Sequence, residues 1–324
     1  KTQAGLLILS GANTYGGTTT ISGGTLRILG GSAIANTGRV DLANAAGAIF
    51  DVRAGETMGA LSGGGTSGGE VQIASGQTLT LTSGTQTYAG AISGDGAVAV
   101  AGAFQTLSGS NSFAGGTTLS SGRLILGSAT ALGTGALTIT GGSNDSSVSG
   151  LVLSTNNIQY WNGNFEFIGT QSLDMGAGAV TLNATRTVTV TAKTLAVGGI
   201  GDGGSGFGLT KAGAGMLSVN SASTYSGVTT VTAGVLRLGH ANALPGGVGA
   251  TGGTSNLTLN GGVVELTAAS GDFSRPLGAS ATDVQWAAAN GGGFSAFGGD
   301  RNVNLGGASA GLTWGSGVFV GGAR

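Results

Sequence analysis

Few residues of this chain could carry out acid–base or nucleophilic chemistry. Its 324 residues include one histidine, His240, and no cysteine. A Ser-His-Asp triad, a Cys-His pair or a histidine-ligated metal would therefore have to include His240. In a repeated motif described below, His240 aligns with Ser128, in a predicted loop. We interpret His240 as a loop residue and predict that the chain has no catalytic residue.

The acidic residues give no clearer sign of a site. The thirteen Asp and Glu residues are spread along the whole chain, whereas polysaccharide-cleaving β-helix enzymes would need acids clustered on one face. The run Gly198–Gly204, which includes Asp202, resembles the calcium-binding nonapeptide of RTX repeats, where Asp carboxylates and backbone carbonyls supply hard oxygen ligands. However, the Asp is displaced and the run is not tandem, so a turn is the better interpretation. We predict no metal and no cofactor.

Aromatic side chains are the remaining candidates for a binding surface. They concentrate in two places outside the repeated motif, Tyr160 and Trp161 with Phe165, and Trp286 with Phe294 and Phe297. If exposed, such rings stack on sugars or on a protein partner; if buried, they fill wide parts of a core. We favour burial, and we name Tyr160, Trp161 and Trp286 as the places where a partner-binding patch would lie.

Composition excludes several classes of protein. The chain has 70 Gly and 2 Pro without glycine at every third position, and it is 40% hydrophobic but only 8% charged. Collagen and intrinsic disorder are both excluded by these values. The net charge of -1 is scattered, without a basic stripe, so nucleic acid is not an expected partner. The only apolar run near the start, Leu6–Leu9, is too short for a signal or a membrane span, and we expect a segment of a longer protein.

A motif recurs three times when it is counted from an aromatic residue, Tyr15, Phe113 or Tyr225. Glycine follows two and nine residues later, paired threonines at four and five, an aliphatic residue at six and leucine at eleven. Beyond the threonines, the matching positions are Gly17, Ile21, Gly24 and Leu26; Gly115, Leu119, Gly122 and Leu124; and Gly227, Val231, Gly234 and Leu236. Agreement at so many positions predicts one recurring structural unit.

The elements that carry this motif are predicted to be short β-strands. Runs such as Thr78–Leu81 and Thr187–Thr191 alternate between polar and apolar residues, and no helical periodicity is sustained between the frequent glycines. Coils of roughly 20 to 25 residues, stacked about 4.8 Å apart, would bury their aliphatic residues only against neighbouring coils. We predict one continuous all-β solenoid over 1–324. The motif aliphatics point inward, both threonines lie on the outer face, and the aromatics cap the strand start over a glycine corner.

Three stretches, Leu9–Ile28, Leu107–Gly127 and Leu209–Gly239, resemble the passenger-associated transport repeat of bacterial autotransporters. We place the repeats near 5–30, 104–127 and 209–239, and a C-terminal block over 255–324 resembles spacers of large repeat-bearing surface proteins. The resemblance implies a right-handed parallel β-helix outside a Gram-negative cell, exported through a C-terminal β-barrel. Members of the family use it as a stalk, an adhesion surface or a self-association surface.

The predicted function is therefore that of a non-enzymatic, extracellular segment at the bacterial cell surface. It acts as a rigid stalk with an adhesive or self-associating face, and its partners are other copies of itself or surface ligands. The alternative is a subunit of an extracellular filament or sheath, because an uncapped β-helix exposes unpaired backbone groups at its ends. A polysaccharide-cleaving enzyme is the least favoured class.

Overall fold

The computed structural model describes residues 1–249, 253–287 and 290–306. Every regular element in these ranges is a β-strand, and the strands pair in parallel, which confirms the predicted all-β parallel solenoid. The chain forms two compact units, Lys1–Gln159 and Tyr160–Arg324. A single continuous β-helix over 1–324 stays a prediction. The part of the C-terminal block from 307 to 324, which includes Trp314, lies outside the described residues.

The first unit contains strands β1 to β16. Their bounds are Leu6–Leu9, Thr19–Ile21, Gly24–Ile28, Arg39–Leu42, Ala48–Val52, Glu56–Met58, Ala60–Gly63, Glu70–Ile73, Thr78–Leu81, Thr85–Tyr88, Ile92–Ser93, Ala97–Leu107, Thr117–Leu126, Leu137–Ile139, Ser143–Ser146 and Leu151–Val152. Strand β17, Gln159–Trp161, begins at the last residue of this unit.

The second unit contains strands β18 to β33. Their bounds are Phe165–Phe167, Leu173–Asp174, Val180–Leu182, Arg186–Val190, Thr194–Val197, Ile200–Gly201, Leu209–Ala212, Met216–Val219, Thr229–Val231, Val235–Leu238, Leu257–Leu259, Val263–Leu266, Phe273–Arg275, Val284–Trp286, Gly293–Ala296 and Val303–Leu305.

The core of each unit is a set of ladders in which apolar side chains stack from coil to coil. In the first unit one sheet has the order β1-β3-β5-β8-β11, and its buried inward ladder runs through Leu26, Phe50, Val71 and Ile92. In the second unit the equivalent ladder runs through Leu195, Leu217, Leu236, Val264 and Phe294. The ladders form because alternate residues of every strand face the interior, and each coil covers its neighbour's apolar face.

Other strands build the remaining walls of the coils. In the first unit β2-β4-β7-β10 and β6-β9 form two walls that merge at the long strands β12 and β13. Strand β12 bends where its pairing with β13 shifts register, between Val100 and Phe104. In the second unit β18-β21-β24-β26-β28-β31 form one wall, and β30 pairs with β33.

The second glycine of the motif shapes a corner that no other residue fits. Gly24, Gly122 and Gly234 have φ of 69°, 76° and 60°, in the left-handed region that favours glycine. A Cβ atom at each position would lie 2.3 Å from a backbone oxygen of the previous coil. The corner therefore requires glycine for two reasons, the backbone conformation and the close approach of the neighbouring coil.

The motif threonines are placed differently from the prediction. Thr117 and Thr229, the first of each pair, are buried, and only the second, Thr118 and Thr230, is partly exposed. The expectation that both line the outer face was wrong for these first threonines. Residues two apart on a strand share a face, so the first threonine of each pair lies on the inward side with the aliphatic at position six.

Candidate functional site

The motif aromatics lie at the start of the coil that carries the repeat strand. Phe113 and Tyr225 are fully buried, whereas Tyr15 is 41% exposed. The Tyr225 hydroxyl is 2.6 Å from Thr229 Oγ1, and Tyr15 makes the same contact with Thr19 at 2.9 Å. Burial raises the pKa of Tyr225 to about 12, so its hydroxyl stays protonated. In the third copy this hydroxyl pair satisfies the buried Thr229, whereas the hydroxyl of Thr117 lies 3.4 Å from the Leu132 carbonyl.

A polar residue two positions before each aromatic binds the backbone of neighbouring coils, and in the second copy it links three successive coils. Asn111 Oδ1 accepts the Ile92 N–H at 2.9 Å, and its Nδ2 donates to the Ala131 carbonyl at 2.7 Å. Ser223, the counterpart in the third copy, accepts the Ile200 N–H through Oγ at 3.2 Å. The sequence contains a signal for this role, because a small polar residue occupies the position in all three copies: Asn13, Asn111 and Ser223.

The repeat also extends further than the predicted motif. Ala33–Ile34, Ala131–Leu132 and Ala243–Leu244 follow the three aromatics at the same spacing, and all six residues are buried. In the first copy Glu56 Oε2 and Oε1 accept the N–H groups of Ala33 and Ile34 at 3.1 and 2.9 Å. Burial raises the pKa of Glu56, and these two hydrogen bonds oppose that change. A buried carboxylate thus fixes the loop that follows the repeat strand.

Lys211, in the lead-in to the third motif, is buried in the interior of its coil. Its Nζ donates to the carbonyls of Ala212, Gly213 and Ala233 at 2.9, 2.8 and 3.1 Å. Its side chain is 0% exposed, and burial lowers the pKa of Lys211 to about 8. The three carbonyls satisfy the three donors of the ammonium group, so a charge is held in the core without a carboxylate partner.

Arg275 is a second buried cation that is bound by backbone carbonyls. Nη1 donates to Ser255 O at 2.7 Å, and Nη2 donates to the carbonyls of Pro245 and Gly247 at 3.2 and 2.5 Å. These acceptors belong to the loop after the third motif, which is longer than the equivalent loops of the other copies. Burial lowers the pKa of Arg275, and the charge of Asp283 opposes this. Arg275 therefore fixes the long loop against the next coil.

Asp202 forms a turn, as the sequence analysis favoured over a calcium site. Its carboxylate accepts the N–H groups of Gly204, Phe207 and Ser226 at 2.9, 3.0 and 3.1 Å, and the Ser226 hydroxyl at 2.8 Å. Burial raises the pKa of Asp202, but the Ser226 side chain and the three N–H groups outweigh this and lower it. A carboxylate surrounded by four donors has little remaining capacity for a cation.

His240 lies in a loop and is partly exposed. Its Nδ1 accepts the Asn242 N–H at 3.0 Å, so the ring is occupied in a local turn. Among the described residues, no group of three or more His, Cys, Asp or Glu side chains is arranged to hold a metal ion.

The candidate partner-binding aromatics separate into two kinds. Trp161 is fully buried and packs edge-on against Phe165, with ring centroids 5.0 Å apart. Trp286 is also buried, and its Nε1 donates to Gly292 O at 3.1 Å. Tyr160 is 38% exposed. The two tryptophans fill the interior, and only Tyr160 presents its ring to solvent.

Comparison with known proteins agrees with the motif. The family model described as passenger-associated-transport-repeat matches residues 1–28, 105–126 and 209–238. The chain is 44% identical over 100 residues to the adhesin BmaC autotransporter of Brucella suis biovar 1 (strain 1330). That match covers 30% of this chain and 3% of the relative. No solved structure matches the chain significantly. Within the described ranges, no helix is both long and apolar enough to cross a bilayer.

The three family matches fall on the three copies of the motif whose corners, threonines and aromatics are described above. The resemblance inferred from the sequence is confirmed. The chain carries three passenger-associated transport repeats and resembles bacterial autotransporters, which indicates an extracellular location at the cell surface.

Proposed function

We propose that this segment is a non-enzymatic stalk of the passenger, with a surface that adheres to external ligands or to other copies of itself. The observation that carries the proposal is the coil-to-coil ladder within each unit. Parallel strands join each coil to the next by backbone hydrogen bonds, and the inward aliphatic residues stack in register. Such an array gives a stiff scaffold whose outer positions are free to vary.

The adhesive part of the proposal is supported by the relative, whose name describes an adhesin.

The non-enzymatic part is supported by the buried carboxylates. Those of Glu56 and Asp202 accept backbone N–H groups, and that of Asp51 is paired with two arginines. General acid–base catalysis needs a carboxyl group that can exchange a proton with a substrate, and these groups are held in structural contacts.

Surface display tests the proposal. The chain is displayed on a non-adherent bacterium, and the control displays an unrelated passenger segment of the same length at the same density. We expect the chain to increase attachment to surfaces or settling of the cells. Equal attachment and settling in both strains would refute the adhesive role. Release of reducing ends from a panel of polysaccharides by the purified chain would refute the non-enzymatic role.

A filament subunit that polymerises end to end is the alternative. Strand β1 is at the edge of its sheet, and Leu6, Leu7 and Ile8 are exposed there. An exposed edge of this kind accepts a further strand, from the same chain or from another copy. Sedimentation velocity over a dilution series separates the two functions, because end-to-end stacking gives a continuous series of growing polymers, whereas a stalk stays a monomer or forms a small oligomer of fixed size.

A further inference from the structure

Two arginines on the outer face of the first unit are held by one buried carboxylate. Arg27 Nε lies 2.7 Å from Asp51 Oδ2, and Arg53 Nε lies 2.7 Å from Asp51 Oδ1. The Asp51 side chain is only 3% exposed, whereas those of Arg27 and Arg53 are 33% and 46% exposed. Arg27 Nε donates a hydrogen bond to Oδ2, whereas Arg53 is only in ion-pair contact with Oδ1. In the described part of the chain the Nη groups of both arginines have no protein partner, and one carboxylate faces two positive charges.

A polar groove lies beside this triad. Successive coils place Arg27, Asp51, Gln72 and Ser93 in one outward ladder. The ladder ends at the short side chain of Ser93, and a cavity of about 350 Å³ lies there. Its polar lining consists of Asp51, Arg53, Gln72, Ser75, Ser93 and Asp95.

The groove offers unused hydrogen-bonding groups of each kind. The Gln72 amide, the Ser93 hydroxyl and the Asp95 carboxylate have no hydrogen-bond partner among the described residues. Together they supply neutral donors, neutral acceptors and a charged acceptor, the set that binds sugar hydroxyls. Arg53 adds a planar guanidinium, whose geometry matches a carboxylate and allows two parallel hydrogen bonds.

We propose that this groove binds a uronic acid residue of an acidic polysaccharide. Arg53, with Arg27 beside it, binds the sugar carboxylate through its Nη groups. Gln72, Ser93 and Asp95 bind the ring hydroxyls. This inference names a ligand class for the adhesive surface and so rests on the proposed function. Binding of a soluble sugar by the purified chain tests it separately from cell attachment, which other surfaces of the passenger could support.

Isothermal titration of residues 1–324 with a galacturonate tetrasaccharide tests the proposal. Arg53→Gln should weaken binding about tenfold or more, because a charge-assisted hydrogen bond is lost. Gln72→Ala, which leaves the charge of the groove unchanged, should weaken it severalfold. The matched control is Arg123→Gln, which removes one positive charge of the same unit at a place where the guanidinium lies over the Phe104 ring. This control should bind as the unmodified chain does.

Four outcomes would overturn the proposal. The first is that the unmodified chain does not bind the galacturonate, and the second is that Arg53→Gln binds as tightly as the unmodified chain. The third is that Arg123→Gln loses as much affinity as Arg53→Gln, which would indicate a general charge effect. The fourth is that a neutral or sulfated glucose tetrasaccharide binds as tightly as the galacturonate, which would contradict the carboxylate assignment. Matching thermal unfolding of the variants confirms that each is folded. If only cell attachment persists while sugar binding is absent, the groove assignment fails and the adhesive function stands.

Discussion

The stability of the second unit should rise between pH 8 and pH 10.5 because Lys211 is buried. The folded chain holds the pKa of Lys211 at about 8, against an ordinary value of 10.5. Between these values the unfolded chain binds a proton at Lys211 and the folded chain does not. Stability increases with pH wherever the unfolded state binds more protons. The cost of keeping a charged ammonium group in the core is therefore relieved as the pH increases.

The size of the effect follows from the same two values. A difference of about 2.5 pH units at ~1.4 kcal/mol per unit corresponds to ~3.5 kcal/mol over the whole window. At pH 7 the group is still mostly protonated, because its pKa stays above that pH, and Nζ donates to three carbonyls. The measurement should end near pH 10, since Tyr225, whose pKa is raised from 10.0 to about 12, lowers stability with increasing pH above that point.

Urea unfolding at several pH values from 7 to 10 measures the effect. Lys211→Met is the control, because methionine fills similar space and does not titrate. The free energy of unfolding of the unmodified chain should rise with pH relative to that of the variant, whatever the difference between them at pH 7. Parallel pH profiles for the two chains would refute the assignment of a lowered pKa to Lys211.

Three further substitutions test other features. Gly122→Ala should destabilise the first unit by more than ~2 kcal/mol, because the added Cβ would lie 2.3 Å from a backbone oxygen. Gly150→Ala, the control, is also at positive φ but in open space, and it should cost only about 1 kcal/mol. Equal melting temperatures of the two variants would contradict the close approach at Gly122. Asp202→Ala should destabilise the second unit by ~2 to 4 kcal/mol through the loss of four hydrogen bonds, and the difference from the unmodified chain in urea unfolding should decrease as the pH falls through the lowered pKa of this carboxylate. Leu124→Asp should disorder several coils, because Leu124 is 1% exposed and a buried unpaired carboxylate is very costly; protease resistance equal to that of the unmodified chain would show that the position is not part of the core.

The strands and their inward aliphatic residues could be predicted because they depend on a pattern visible in the letters of the sequence. Alternation along a strand places Leu26 and Leu124 inside, and the structure has both buried. The burial of Thr117 and Thr229 was not predicted, because a threonine suits either face of a strand and a partner decides its position. For Thr229 that partner is the Tyr225 hydroxyl, which composition and spacing do not reveal.

The buried ions could not be predicted for a different reason. Lys211 and Arg275 are charged residues that normally lie at the surface, and the groups that satisfy them are backbone carbonyls, which every residue possesses. The outer groove could not be predicted either. Asp51 and Arg53 are two residues apart, but Arg27 joins them only through the register of β3 with β5, and Gln72 and Ser93 follow through two further coils.

The bonds made by Asn111, Asp202 and Lys211 have a consequence for how such a chain can change over generations. Each of these side chains mainly binds the main chain of its neighbours, and a main chain offers the same N–H and C=O groups whatever its side chains are. A coil can therefore be duplicated, deleted or replaced without a compensating change in the adjacent coil, provided that its small corner residues and inward aliphatics are kept. The architecture favours growth by copying, and it allows the outer surface to diversify independently of the interior.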